Sequence, residues 1–197
     1  MATKLHVLIT GAAGLVGGIV RQHWGDRYRL RLADIQPVSD LADHEESIKL
    51  DIRDLEAFTE ACRDIDVVLH LAADRSPSAD FYETLIDLNL IGCYNGFEAA
   101  RRSGCRRVVF ASSINAVLGY RGSRAVPWDV PIFPQNVYGA TKCFGEHLDA
   151  YMPTSTTCRV SACAWAAHGL TRAAIGIQKS PPTKLAHATR RSCLPAV

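Results

Sequence analysis

The 197-residue sequence has no Cys-x-x-Cys pair among its seven cysteines, no apolar run of 18 residues, and no acidic residue beyond Met152. The first absence, with an odd cysteine count and no cleavable leader, argues against a disulfide framework or a metal site. The thiols read as reduced, in a cytoplasmic protein. The second gives no membrane-spanning segment. The third divides the chain: residues 1–152 carry a net charge of −4 and residues 153–197 a net charge of +6, which marks a boundary at about residue 152. The whole-chain charge of +2 gives no reason to expect a nucleic-acid partner. What remains is ordinary for a soluble globular domain, 48% apolar and 21% charged, and long enough for one sizeable core.

The most informative stretch is Lys4 to Arg21, KLHVLITGAAGLVGGIVR. Leu5 to Ile9 is too short for a helix and has the branched character of a buried parallel strand. Glycines at 11, 14 and 17 then open an amphipathic segment. The pattern predicts a strand, a tight turn and a helix whose N-terminus points at a pyrophosphate. Gly11 permits the turn, Gly14 admits phosphate to the backbone, and Gly17 lets helix and sheet pack closely. A glycine-rich turn without ligand is the plain alternative. Against it stands the second strand, Tyr28 to Ala33, which ends in Asp34. A carboxylate there can accept both ribose hydroxyls of an adenosine and repels a 2′-phosphate, which selects NAD over NADP.

Short branched strands then alternate with helices: a strand at Ser47–Leu50, a helix capped by Asp54 and running to about Cys62, a strand at Asp66–Leu71, and one long helix over Phe81–Ser103. A fifth strand follows at Val108–Ala111 and a helix at Val137–Tyr151. The expected fold is a doubly wound parallel α/β sheet of Rossmann type, order 3-2-1-4-5-6, with the sixth strand short or absent. His70 lies inside its strand rather than beyond its carboxyl end and reads as a core residue, not a base. The loop after Ala73, DRSPSA, should border a substrate, with Ser76 as a weak contact candidate beside Ser78. Arg101, Arg102, Arg106 and Arg107 read as a solvated face.

The fifth strand leads into Ser112-Ser113, and 25 residues beyond Ser113 comes Tyr138-Gly139-Ala140-Thr141-Lys142. Four residues apart on a helix, the phenol and ammonium share one face. The Lys142 cation and the positive nicotinamide of an oxidised cofactor are both expected to lower the pKa of Tyr138, so that the phenol can take a hydroxyl proton while Ser113 hydrogen-bonds the reacting oxygen.

Taken in order, the glycine loop, Asp34, HLAA, Ser113 and Tyr-x-x-x-Lys resemble the extended short-chain dehydrogenase/reductases, the NAD-dependent epimerase/dehydratase family. RLADI, VFASSIN and VYGATKCFGE are most similar to the uronate dehydrogenases within it, over residues 4 to about 150. The resemblance implies NAD held by Gly11, Ala13, Gly14, Leu15, Val16, Gly17 and Asp34. Asp51 and Ile52 would lie at the adenine, with Leu71, Ala72, Ala73, Asn89, Ser112, Tyr138 and Lys142 completing the set. It also implies oxidation of the C1 hydroxyl of a hexuronic acid to a lactone by Ser113, Tyr138 and Lys142, in a protein that could form homo-oligomers. Asn115 is a weak substrate candidate, because Ile114 and Ala116 depart from the family's Ser-Asn-His. A sugar-nucleotide 4-epimerase and a non-catalytic dinucleotide-binding module remain open; Ser113-Ile114-Asn115 in place of Thr-Asp-Glu disfavours a dehydratase.

Beyond Tyr151 the resemblance stops. The acid-free stretch 153–197 has no steady period and is expected to pack poorly, with at most a short strand near Arg159. A frame shift or truncation near Tyr151 is one origin, and a divergent natural tail is the other. Without a substrate lobe the chain is expected to be inactive or nearly so, with exposed apolar surface and a tendency to self-associate.

Overall fold

The computed structural model describes residues 4–120, 126 and 130–151, with side chains through Leu148. The expectations for residues 153–197 and for a sixth strand near Arg159 lie outside the described residues.

Five parallel strands form one sheet in the order β3-β2-β1-β4-β5: β1 His6–Thr10, β2 Arg29–Asp34, β3 Glu45–Lys49, β4 Val67–His70 and β5 Arg107–Phe110. The order reverses at β1, which pairs with β2 on one side (Leu8 opposite Arg31) and β4 on the other (Leu8 opposite Val68). In open sheets of this kind the crevice beyond the strands' carboxyl ends at such a reversal receives ligands. β1 is buried along its whole length, as its uninterrupted apolar run requires of a strand covered on both faces.

Two half-cores result. Val7 and Ile9 turn toward Val20 and Trp24 of α1 (Leu15–Trp24), with Leu30, Leu32 and Leu69. Leu8 faces the opposite layer, with Val68, Phe58 of α2 (Leu55–Ala61) and Phe97 of α3 (Gly92–Arg102). Fully burying side chains such as Phe58 and Phe97 contributes about 1.5–3 kcal/mol each. Asp54 caps α2 as its position suggests, accepting from Ala57 N at 2.9 Å. At the end of α3, Arg101 pairs with Glu98 and Arg102 with Glu98 and Glu56, while Arg106 beyond it lies 3.5 Å from Asp66.

Strand ends shift by a residue or two from expectation, those of β1, β2 and β4 by one. β3 begins two residues early, at Glu45, because Glu45 pairs opposite Leu30 and its carboxylate is held by Arg21. β5 runs Arg107–Phe110 rather than to Ala111. The helix expected over 81–103 is continuous but not uniform: Phe81–Ile91 is wound as a π-helix before α3 begins. Leu85 N donates five residues back to Asp80 O, and Gly92 N to Asp87 O. The wider winding coincides with Asn89, whose side chain is tied to a neighbouring loop.

Candidate functional site

The glycine loop closes the gap between β1 and α1. Gly11 has φ +70°, and a Cβ there would lie 2.8 Å from Ala72 N, so the first glycine makes room for the HLAA backbone. Gly14 precedes α1 with no side-chain cap, and the first turn contains no acid. Such a ten-residue helix start, with its backbone N–H groups uncapped by side chains, fits an anionic pyrophosphate. Gly17 acts differently from the expectation of helix-to-sheet packing: its missing Cβ would meet Gly11 O at 2.6 Å and Ala12 Cα at 2.7 Å. The close approach is between the helix and its own turn. Leu15 is exposed and Val16 half-buried.

Asp34 stands at the end of β2, beside the loop. Its carboxylate accepts Ala13 N and Gln36 N, both at 3.0 Å, and a carboxylate with about four acceptor positions keeps two for a ligand. Asp51 is clamped by Arg53, which holds its carboxyl below the usual range. Ile52 is buried and packs where Gly92 lacks a side chain. The Asp51–Arg53 turn is held from α3 by Asn95, whose amide donates to Ile52 O at 3.0 Å and Arg53 O at 2.9 Å.

The end of β4 is tied to the end of β1 by Thr10. Its hydroxyl accepts Leu71 N at 3.2 Å and Ala72 N at 3.3 Å, and lies 2.8 Å from His70 Nδ1. His70 is buried between Phe58 and Phe110 and has its pKa lowered to about 3 by burial, with no charged role at the sheet edge. Leu71, Ala72 and Ala73 are half-buried along the crevice. Asn89 bridges it to α4 (Val137–Tyr151). Its amide accepts Asp74 N at 2.8 Å and donates to Asp74 O at 3.0 Å and to Thr141 Oγ1 at 3.1 Å. Ser76 and Ser78 face one another at 3.0 Å in the exposed loop.

Ser112 and Ser113 follow β5. The Ser112 hydroxyl donates to Glu146 on α4. Ser113 Oγ accepts from Asn115 N and Asn115 Nδ2, both at 3.2 Å, and its hydroxyl acts on the Tyr138 phenol in the direction that favours ionisation. Asn136 caps α4, accepting Gly139 N at 2.7 Å. α4 presses on this segment: a Cβ on Gly139 would lie 2.4 Å from Asn115 O, and one on Gly145 2.3 Å from Phe110.

Tyr138 and Lys142 are both buried. Lys142 Nζ donates to Ala111 O at 3.1 Å and lies 5.0 Å from the Phe110 ring centroid and 5.7 Å from that of Tyr138. Burial lowers its pKa to about 8. Lys142 by itself does not bring about the expected lowering of the Tyr138 pKa. Burial raises the Tyr138 phenol, Asp74 adds to the rise, and the Ser113 hydrogen bond only partly opposes it. Desolvation of the phenolate outweighs a cation whose donors point to a carbonyl.

Thr10, Asn95, Asn136 and Thr141 were not singled out from the sequence. Among them only Asn136, directly before an apolar-periodic helix, carried a local signal, that of an N-cap. Among the described residues no cluster of three metal-ligating side chains occurs, and no helix is long and apolar enough to cross a membrane.

A doubly wound domain with this loop, serine and Tyr-x-x-x-Lys defines a class, and the chain belongs to the NAD dependent epimerase/dehydratase family, whose model matches residues 7–162. Within that class it is similar to a uronate dehydrogenase of Pseudomonas putida, 33% identical over 147 residues covering 74% of this chain and 54% of that protein. It is also similar to the uronate dehydrogenase of Agrobacterium fabrum, 34% identical over 163 residues covering 80% and 61%. A crystal structure of a mutant uronate dehydrogenase from Agrobacterium tumefaciens, complexed with NAD, superposes with a TM-score of 0.66 at 39% identity, covering 75% of this chain and 55% of that one. The chain thus spans little more than half the length of these relatives.

Proposed function

We propose that this chain carries the NAD-binding and proton-transfer half of a sugar dehydrogenase that oxidises a hydroxyl of a uronic acid. The observation that carries the reading is the convergence of Ser113 and Tyr138 beyond β5, on the same sheet edge as the glycine loop and Asp34. Gly11 to Gly17 would hold the pyrophosphate and Asp34 the adenosine ribose, with Asp51, Ile52 and Leu71 to Ala73 lining the remainder. Bound NAD would supply the acceptor for the hydride leaving the sugar carbon.

As the phenolate, Tyr138 Oη takes the proton of the sugar hydroxyl, and Ser113 Oγ donates to that oxygen and fixes its position. Lys142 supports the nicotinamide-side ribose. Its pKa of about 8 leaves it largely protonated at neutral pH. Asn89 holds the Asp74 loop against α4, which keeps that wall of the crevice in place. Ser76 and Asn115 are the further substrate-side candidates. A reducing cytoplasmic setting accords with the free thiols of Cys62, Cys93, Cys105 and Cys143.

An NADH absorbance screen over free uronic acids, neutral sugars and sugar nucleotides tests this. NADH release with a uronic acid supports it. NAD retained through purification with sugar-nucleotide epimerisation would replace it with a 4-epimerase, and NAD binding without any turnover would leave a dinucleotide-binding module.

A further inference from the structure

We infer that Asn136 and Asn115 form a polarity relay that fixes Ser113 as a hydrogen-bond donor, toward Tyr138 in the free protein and toward the reacting oxygen when a sugar is bound. This deepens the reading of the site given above and rests on it for the identity of that oxygen.

The direction of the relay follows from one backbone group. The N–H of Gly139 can only donate, so the atom of Asn136 that meets it at 2.7 Å is the amide oxygen. The amide nitrogen of Asn136 must then face the other way, where it donates to Asn115 Oδ1 at 2.8 Å. With its oxygen so engaged, Asn115 presents its nitrogen to Ser113 Oγ at 3.2 Å, and its backbone N–H donates to the same oxygen at 3.2 Å. Flipping either amide would set donor against donor. A serine oxygen has two lone pairs and one proton. Both lone pairs are taken by Asn115, so Ser113 has only its proton left to offer Tyr138.

The helix that carries Tyr138 and Lys142 thus also sets, through its own N-cap, the polarity of the serine on the neighbouring strand end. Asn115 and Asn136 are positioning residues: neither needs to touch the sugar. A donor aimed at the phenolate favours ionisation of Tyr138, the same direction in which Ser113 acts on that phenol.

The test needs neither cofactor nor sugar. With 3-fluorotyrosine incorporated, whose phenol ionises in a milder range, 19F NMR follows the titration of Tyr138, its signal assigned by Tyr138→Phe. Asn136→Asp keeps the cap on Gly139 but removes the donor to Asn115. Asn115 then turns its nitrogen to the new carboxylate and its oxygen to Ser113, whose proton it captures. The Tyr138 titration should rise by about one to two units, the size of one hydrogen bond to a charged group. Ser113→Ala should raise it similarly, and the double variant should go no further than Ser113→Ala alone. Asn115→Leu adds no charge and frees Ser113 to accept from the neutral phenol, so it should shift Tyr138 in the same direction and provides the result if Asn136→Asp does not fold. Additive shifts in the double variant would reveal only the field of the new carboxylate and overturn the relay, as would an unmoved Tyr138 in Asn136→Asp or in Asn115→Leu. A relay upheld here with no NADH formed from any sugar would sink the dehydrogenase reading alone, while NADH formation with an unmoved Tyr138 would sink the relay alone.

Discussion

Asp34 Oδ2 accepts the backbone N–H of Ala13 at 3.0 Å, so the acid at the end of β2 is tied to the glycine loop at the end of β1. With Oδ1 accepting Gln36 N, the carboxylate is fixed in place before any ligand arrives. Asp34→Ala should therefore weaken NAD binding twice over, by losing the ribose acceptor and by loosening the loop. A hydrogen-bonded charged partner contributes about 1.5–3 kcal/mol, so a rise in Kd of roughly 10- to 150-fold is expected. Discrimination against NADP should relax as well, and Asp34→Asn should relax it while losing less NAD affinity. Calorimetric titration with both cofactors checks this; unchanged affinity for both would remove Asp34 from the site.

Tyr138→Phe should leave NAD binding intact and reduce turnover of any uronic acid by roughly 100-fold or more, since it deletes only the proton acceptor. Because burial raises the Tyr138 phenol in the ligand-free protein, turnover should climb with pH on the alkaline side of neutrality. A flat profile through that range, or near-normal turnover in Tyr138→Phe, would take the phenol out of the mechanism.

Much of this arrangement was legible from residue pattern alone, and the reason is local. The run Leu5–Ile9, glycines at 11, 14 and 17, and an acid closing the next strand are signals confined to about 30 residues. They reproduce a buried parallel strand, a positive-φ turn and a carboxylate beside it. Asp54 is legible for the same reason, as a cap acts within four residues. What periodicity could not reach were ties between side chains and distant backbone. Asn95 looks like any mid-helix amide until α3 packs on the Asp51–Arg53 turn, and Thr10 looks like the last residue of a strand until Leu71 and Ala72 arrive beside it. The π-winding of Phe81–Ile91 is hidden too, because apolar spacing near 3.6 hardly distinguishes it from an α-helix. The burial of Tyr138 is hidden as well, because sequence supplies the neighbouring cation but not the depth at which the phenol lies.

Two glycines in helices should respond oppositely to alanine. On Gly139 a Cβ would sit 2.4 Å from Asn115 O, against backbone that has no rotamer to yield, so Gly139→Ala should cost about 1–3 kcal/mol. On Gly18 it would meet nothing within 4 Å, and Gly18→Ala in α1 should stabilise by about 0.5–1 kcal/mol. Urea midpoints measure both. Equal effects would mean that α4 does not press on the Ser113–Asn115 segment.

His70 should make the fold sensitive to acid. Its folded pKa is about 3 against an ordinary 6.5, because burial disfavours the imidazolium, and its Nε2 meets no hydrogen-bond partner among the described residues. Between those values the unfolded chain binds a proton that the folded chain refuses. Stability is fully present above pH 6.5 and is lost as pH falls toward 3, by on the order of 5 kcal/mol. His70→Phe, which keeps a ring between Phe58 and Phe110, should flatten this loss. Wild type and variant falling in parallel from pH 6.5 to 4 would show that His70 titrates normally.

Lys142 should act in the alkaline range, with the same sign. Its folded pKa of about 8 lies below the 10.5 of an exposed lysine, so between these values the unfolded chain holds a proton that the folded chain has released. Its contribution to stability is full above pH 10.5 and lost as pH falls to 8, where the folded protein carries a buried ammonium held mainly by Ala111 O and the Phe110 face. The thiols of Cys93 and Cys143, pushed up to about 12 and about 11, oppose this trend, since they stay protonated when folded and ionise more readily when unfolded. The difference between wild type and Lys142→Met follows the lysine, because Cys143 is common to both and Cys93 changes only by losing the Lys142 charge, which acts on it less than burial does. That difference should shift in favour of wild type by on the order of 3 kcal/mol between pH 8 and 10.5. A difference independent of pH would mean that the Lys142 ammonium is not desolvated, and that its place on α4 does not carry the electrostatic cost its burial implies.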